Sequence, residues 1–292
     1  MFETIVTPEQ LAELQEKGSP LQIWDCSYDL VKKDWGLEEF IKEHVPGAIF
    51  IDIHHDLCAE EGKPRASGGR HPLPTREDFQ IRLGSFGITP ETQIIVYDRN
   101  GSNFCVRAWW MLRWAGHKNV AVLDGGLRAW KESRKPTAAG ERVRPHVEGA
   151  PAYNPGPELV RLWTIDQVKE NLITKKAQLF DARAPERYRG DVEPLDPRAG
   201  HIPGAINRPC GKSFTPEGKF LPADDLREQL KGFFPEGKEC VSYCGSGITA
   251  TPLVLAAKIA NMPEPIVFGG SFSEWSRDDS VKVETGPNPY QE

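Results

Sequence analysis

The sequence predicts two tandem α/β domains, each a parallel β-sheet flanked by helices. Three features carry this expectation: a length of 292 residues, landmarks that recur in order in each half, and short β-branched runs alternating with helical stretches. Soluble domains cluster near roughly 100 to 150 residues, so a chain of this length has room for two cores.

The repeat is the most direct of the three, because self-similarity at this period declares a duplicated domain. The first half carries Leu21 to Asp25, then Phe40-Ile-Lys-Glu-His44-Val-Pro46-Gly47-Ala48, then Ile94 to Asp98, then Val122-Leu-Asp-Gly125-Gly126-Leu-Arg-Ala-Trp130. The second half answers with Ala177 to Asp181, Gly200-His201-Ile-Pro203-Gly204-Ala205, Cys240 to Cys244, and Val267-Phe-Gly-Gly270-Ser-Phe-Ser-Glu-Trp275. Asp98 to Trp130 spans 32 positions and Cys244 to Trp275 spans 31.

Each repeat then reads as strand, turn, helix. Ile94 to Tyr97 and Glu239 to Tyr243 are buried-strand patterns, followed by helical patterns over Phe104 to Ala115 and Ala250 to Ala260. Such an order gives a parallel sheet covered on both faces. The two His-apolar-Pro-Gly-Ala segments read as turns, the first leading into a strand over Ile49 to Ile53, with His44 and His201 as structural turn residues. Between the halves, six prolines or glycines from Pro136 to Pro155 mark a linker. The expected division is a first domain over 1–135, a linker over 136–158 and a second domain over 159–285.

Composition narrows the function. Hydrophobic residues make up 39% and charged residues 27%, and no apolar run approaches the roughly 20 residues of a membrane span. A net charge of −6 argues against a nucleic-acid or anionic-membrane surface. The N-terminus has no basic segment followed by an apolar stretch, so the expected location is the cytoplasm. Six scattered cysteines read as reduced thiols rather than a disulfide framework, and Cys240 and Cys244 have no matching pair that would complete a zinc site. No metal or other cofactor is expected.

Cys244 is the residue with chemistry to do. It ends a predicted strand, and Gly245-Ser246-Gly247 offers two residues able to take positive φ just before a helix. There, main-chain N–H groups and the helix dipole favour an anion such as a thiolate or persulfide. A buried cysteine in a glycine-rich turn is the plainer reading of the loop taken singly. Asp98, followed by the unrelated Arg99-Asn-Gly-Ser, stands at the equivalent position of the first half, so only one copy retains the thiol.

With these motifs in hand, the chain resembles the tandem-domain rhodanese family of sulfurtransferases over nearly its full length. Phe40 to Ile51 is similar to that family's N-terminal signature. Val267 to Trp275 is similar to its C-terminal one, with Gly269 where an acidic residue is more usual. Cys244-Gly-Ser-Gly-Ile-Thr-Ala250 is similar to its active loop. The resemblance implies two rhodanese-like domains, the first non-catalytic. It implies that Cys244 takes sulfane sulfur from a small anionic donor, holds it as a persulfide, and passes it to a thiol or cyanide. A reduced thioredoxin-like protein or a low-molecular-weight thiol would be the acceptor partner.

Further site residues follow from the same resemblance. Arg187 matches the substrate-binding arginine, and Arg198 stands as the second carboxylate-binding arginine of mercaptopyruvate-using relatives or as a surface residue. Gly245, Gly247, Ile248 and Thr249 form the loop around the sulfur. Gly245 and Ser246 are uncharged, which resembles the mercaptopyruvate type rather than the thiosulfate type. Ser246 either donates to the substrate carbonyl as charge develops or caps the following helix. Thr249 reads as a cap or loop-stabilising hydroxyl. His71, in Gly68-Gly-Arg-His71-Pro-Leu-Pro74, either corresponds to a histidine proposed to face the loop serine in relatives, with His54 where an acidic partner is usual, or is an interface or surface histidine. Two alternatives stay open: a thiosulfate:cyanide sulfurtransferase, and a non-catalytic sulfur-relay or binding module. A phosphatase is disfavoured, because its Cys-x5-Arg loop would require arginine where Ala250 stands.

Overall fold

A computed structural model describes residues 1–101, 103–141 and 145–287. Residues 142–144 of the expected linker, and Ser102 of the loop after Asp98, lie outside the described residues. The described residues form two compact units: those of 1–63, 74–159 and 215–220, and those of 64–73, 160–214 and 221–287.

The first unit is built from β1 (Ile5–Val6), α1 (Pro8–Glu16), β2 (Leu21–Asp25), α2 (Trp35–Lys42), β3 (Ala48–Phe50), α3 (Ile53–Asp56), α4 (Arg76–Ser85), β4 (Gln93–Tyr97), α5 (Val106–Ala115), β5 (Val120–Leu123) and α6 (Gly126–Glu132). Its sheet has the order β1-β5-β4-β2-β3, all parallel. The second unit has β6 (Leu162–Trp163), α7 (Ile165–Thr174), β7 (Ala177–Asp181), α8 (Pro185–Arg189), β8 (Ile206–Asn207), α9 (Ala223–Lys231), β9 (Glu239–Tyr243), α10 (Thr251–Ile259), β10 (Ile266–Phe268) and α11 (Ser271–Trp275). Its order, β6-β10-β9-β7-β8, repeats the first, again all parallel.

The duplication extends to single hydrogen bonds. Thr7 and Thr164 open α1 and α7 with the same capping box, closed by Gln10 and Gln167. His44 Nδ1 bonds Phe40 O and stacks on the Phe40 ring, while His201 Nδ1 bonds Tyr188 O and stacks on Tyr188. Val45 N–H donates to Tyr97 Oη at 3.1 Å and Ile202 N–H to Tyr243 Oη at 3.2 Å. These bonds explain the His-apolar-Pro-Gly motif: it ties a turn to the end of the central strand. The signature tryptophans are also paired in role. Trp130 and Trp275 fill the two cores, each donating its indole N–H to a nearby carbonyl, Pro136 O and Lys282 O.

Three boundaries differ from the sequence reading. The strand expected over Ile49 to Ile53 ends at Phe50, because Asp52 accepts the N–H groups of His54 and His55 and starts α3 at Ile53. The helix expected from Phe104 starts at Val106, since Phe104 and Cys105 donate their N–H groups to the Asp98 carboxylate. The expected linker also packs into the first unit: Tyr153 N–H bonds Gln80 O, and its hydroxyl lies 2.7 Å from His117 Nδ1.

Two segments depart from a division by chain position. Residues 64–73 belong to the second unit and 215–220 to the first. Phe220 N–H donates to Asp124 just after β5, and Gly68 N–H donates to Glu274 in α11. Each segment therefore follows the third strand of its own repeat and is bonded just beyond the β5 or β10 strand of the other.

Candidate active site

Cys244 sits at the C-terminal end of β9, a strand flanked by β10 and β7, where ligands of parallel sheets are bound. Its side chain is buried, and Gly247 N–H is directed at Sγ from 3.2 Å. Gly247 makes this turn with φ of +79°, a conformation costly for a residue with Cβ. Gly245, expected to do likewise, does not take positive φ; its lack of a side chain serves a close approach instead.

The base of the loop is held by main chain. Cys244 N–H donates to Ser271 Oγ at 3.1 Å, Phe272 N–H to Cys244 O at 3.0 Å, and Ser273 N–H to Gly245 O at 2.8 Å. At the other end Ser242 Oγ donates to Ala250 O, and Thr251 Oγ1 to Ile248 O. Ile248 is buried beneath the loop. The loop is thus fixed before any substrate arrives, which removes ordering cost from binding.

The N-cap of α10 is Ala250, with no side-chain cap. Neither Ser246 nor Thr249 caps that helix. Ser246 Oγ instead lies 2.8 Å from His71 Nδ1, and both residues are buried. The segment carrying His71 is fixed by Ala66 N–H to Leu73 O, Leu73 N–H to Ser67 Oγ and Arg70 N–H to Ser273 Oγ. His54 lies in the first unit, bonded to Tyr28 Oη through Nε2.

The arginines divide by partner. Arg187, on α8, donates through Nη2 to Glu193 at 2.6 Å and Asp196 at 3.4 Å. A Cβ placed on Gly245 would lie 3.3 Å from Arg187 Nη1, so this guanidinium adjoins the cysteine loop. Arg183 is structural: it grips Asp181, bonds Gly200 O, and lies 3.9 Å over the Phe272 ring. Arg198, which the sequence suggested as a second carboxylate binder or a surface residue, is committed to main-chain carbonyls. Its Nε, Nη1 and Nη2 donate to the carbonyls of Ser276, Val281, Trp275 and Asp278, which pins the chain after α11.

Sequence reasoning passed over Arg70, Glu193 and Asp196. A Cβ on Gly245 would meet Arg70 Nη2 at 2.9 Å, and Asp196, with no exposed side-chain surface, pairs with Arg70, Arg187 and Arg277. Arg70 directly precedes His71 in sequence, but nothing local reports that residues 125 positions later gather around it.

The first repeat shows what the same geometry becomes without the thiol. Asp98, at the end of β4, is fully buried, and its carboxylate accepts the N–H groups of Asn100, Phe104 and Cys105. Burial raises its pKa, and those N–H groups oppose the rise. Arg99, at the place of Gly245, reaches Asp25 and the carbonyls of Glu39 and Glu43. The Asp98 carboxylate takes loop N–H groups where the second repeat directs one at the Cys244 sulfur. Elsewhere, burial pushes the Cys240 thiol up to about 12 and that of Cys58 up to about 11, which keeps both as unreactive thiols.

Comparison with known proteins agrees with this architecture. The Rhodanese-like domain family matches residues 7–133 and 164–278. A Pseudomonas aeruginosa protein named "Probable 3-mercaptopyruvate sulfurtransferase" is 36% identical over 291 residues, covering 97% of this chain and 98% of its own. Thiosulfate sulfurtransferase of Mus musculus is 34% identical over 293 residues, covering 95% and 93%. Among solved structures, SseA from Escherichia coli, described as a 3-mercaptopyruvate sulfotransferase, superposes with a TM-score of 0.76 at 30% identity, covering 94% of this chain and all of its own. Two matched domains, the shared sheet order and full-length relatives lead to one conclusion: the chain belongs to the rhodanese family.

Proposed function

We propose that the chain is a sulfurtransferase that moves sulfane sulfur from a small anionic donor, with 3-mercaptopyruvate preferred, to a thiol acceptor through a persulfide on Cys244. One observation carries the reading: the Cys244 sulfur, held by Gly247 N–H, lies in a loop whose neighbouring residue adjoins the guanidinium groups of Arg187 and Arg70. A nucleophile beside fixed cations suits attack on an anion.

The Cys244 thiolate attacks the donor sulfur, forming an S–S bond as the C–S bond breaks. The bonding pair passes to carbon as the pyruvate enolate, which takes up a proton. Ser246, positioned by His71, is suited to donate to the donor's carbonyl oxygen as negative charge develops there. An acceptor thiolate then attacks the outer sulfur and regenerates Cys244. A reduced thioredoxin-like protein or a low-molecular-weight thiol fits this second step. All six cysteines are free, which suits a reducing, cytoplasmic setting.

Thiosulfate is the second reading, supported by the relative named for it; the same attack would release sulfite. The test is kcat/KM for both donors side by side, with mass spectrometry for one added sulfur atom on Cys244. A higher value for 3-mercaptopyruvate is expected. Substantial transfer by Cys244→Ser would overturn the persulfide, and an unloaded wild-type protein that accepts sulfur only from a partner would make it a relay module.

A further inference from the structure

We propose that Arg70 is a substrate-binding residue: with Arg187 it forms a two-guanidinium clamp over Gly245 that takes the carboxylate of the sulfur donor. The proposal deepens the donor reading above and rests on it for the identity of the ligand.

The geometry converges on one place. Arg70 Nη2 and Arg187 Nη1 are the nitrogens that would stand 2.9 and 3.3 Å from a Cβ on Gly245, the residue next to the sulfur. Among the described residues, neither nitrogen has a hydrogen-bond acceptor, and the buried Arg187 Nε has none either. The other halves of both guanidinium groups are anchored. Arg70 Nη1 pairs with Asp196, and Arg187 Nη2 pairs with Glu193 and Asp196. Asp196 and Glu193 are almost wholly buried, so these anchors are little screened by water.

The main chain of Arg70 is equally fixed. Its N–H donates to Ser273 Oγ, and Ser273 N–H donates to Gly245 O, so one serine joins Arg70 to the cysteine loop. Gly69 permits the approach: a Cβ there would lie 2.5 Å from both Gly270 O and Ser273 Oγ. Anchored guanidinium groups with unused donors recognise a carboxylate by paired N–H···O bonds. In the chain's own arrangement the second cation thus comes from Arg70, while Arg198 holds main-chain carbonyls.

Alkylation of Cys244 tests the clamp independently of sulfur transfer. Rates with iodoacetate, which carries a carboxylate, and with neutral iodoacetamide are measured for the wild type, Arg70→Met and Arg70→Lys, each checked for folding by thermal unfolding. The iodoacetate rate should fall about 10-fold or more in Arg70→Met relative to the iodoacetamide rate, with Arg70→Lys between. In parallel, KM for 3-mercaptopyruvate should rise about 10- to 100-fold while KM for cyanide holds. An unchanged iodoacetate-to-iodoacetamide ratio in both folded variants would overturn the clamp. A lost ratio in a protein whose wild type turns over neither donor would overturn the donor reading and leave the clamp standing.

Discussion

Ser246 Oγ and His71 Nδ1 lie 2.8 Å apart, both buried, although 175 residues separate them in sequence. With Nδ1 protonated, His71 donates to Ser246 and leaves the hydroxyl hydrogen for the substrate. Removing one such donor typically costs about 100- to 1000-fold in kcat. Ser246→Ala should therefore lower kcat for 3-mercaptopyruvate by about 100-fold with little change in KM. An unaltered kcat in steady-state assays would reduce Ser246 to a packing role.

Gly245→Ala probes the clamp without altering any charge. The new Cβ would stand 2.9 Å from Arg70 Nη2, closer than a carbon tolerates, and 3.3 Å from Arg187 Nη1, so the flexible Arg70 guanidinium must shift from the face where the carboxylate belongs. Gly245 has no positive φ, so the backbone accepts alanine. KM for the donor should rise about 10-fold, the loss of one charge-assisted hydrogen bond, while the melting temperature stays within a few degrees.

Cysteine reactivity should be confined. Cys240, with its thiol pushed up to about 12 by burial, should resist alkylation near neutral pH, and Cys240→Ser should leave sulfur transfer within about twofold. Peptide mapping after brief iodoacetamide treatment would find the label on Cys244. Preferential labelling of Cys240 would contradict the assignment.

Arg198→Met separates stability from binding. The wild-type side chain donates to four main-chain carbonyls, that of Trp275 at the end of α11 and those of Ser276, Asp278 and Val281 beyond it, and a hydrogen bond from a charged group is worth roughly 1.5 to 3 kcal/mol net, non-additively within one side chain. The expected result is about 2 to 4 kcal/mol of lost stability in urea titration. Donor KM in the folded fraction should not move; a large rise would return Arg198 to the substrate.

His117 provides a pH signature. Burial depresses its folded pKa to about 4, from a usual value near 6.5, so the unfolded chain binds the proton first as pH falls. Its contribution is complete above pH 6.5 and is lost progressively between about 6.5 and 4, on the order of 3 kcal/mol in all. Thermal unfolding across that range should show the loss, and His117→Gln should flatten it. An equally steep curve in the variant would assign the dependence to other groups.

Much of the fold was legible because its causes are local. Buried apolar runs specify strands and strand–turn–helix order specifies a parallel sheet. A repeated His-apolar-Pro-Gly motif marks a turn that bonds the central strand in both halves. Comparison of Asp98 with Cys244 likewise singled out one thiol without coordinates. The repeated capping boxes at Thr7 and Thr164, two hydroxyl–glutamine pairs three residues apart, have equally local causes, although only the structure singled them out.

The sequence by itself determined the two α/β repeats, the cysteine loop and Arg187 as a candidate cation. Tertiary structure alone decided which other side chains meet that loop. Arg70 and His71 sit in a segment that belongs with the second unit, and Arg198, close to Arg187 in sequence, is held by carbonyls 77 to 83 positions away. The physical reason is that a guanidinium or imidazole goes where buried acceptors are. Those acceptors, Asp196, Ser246 and the carbonyls after α11, are brought within reach only by long-range packing, which no local pattern records.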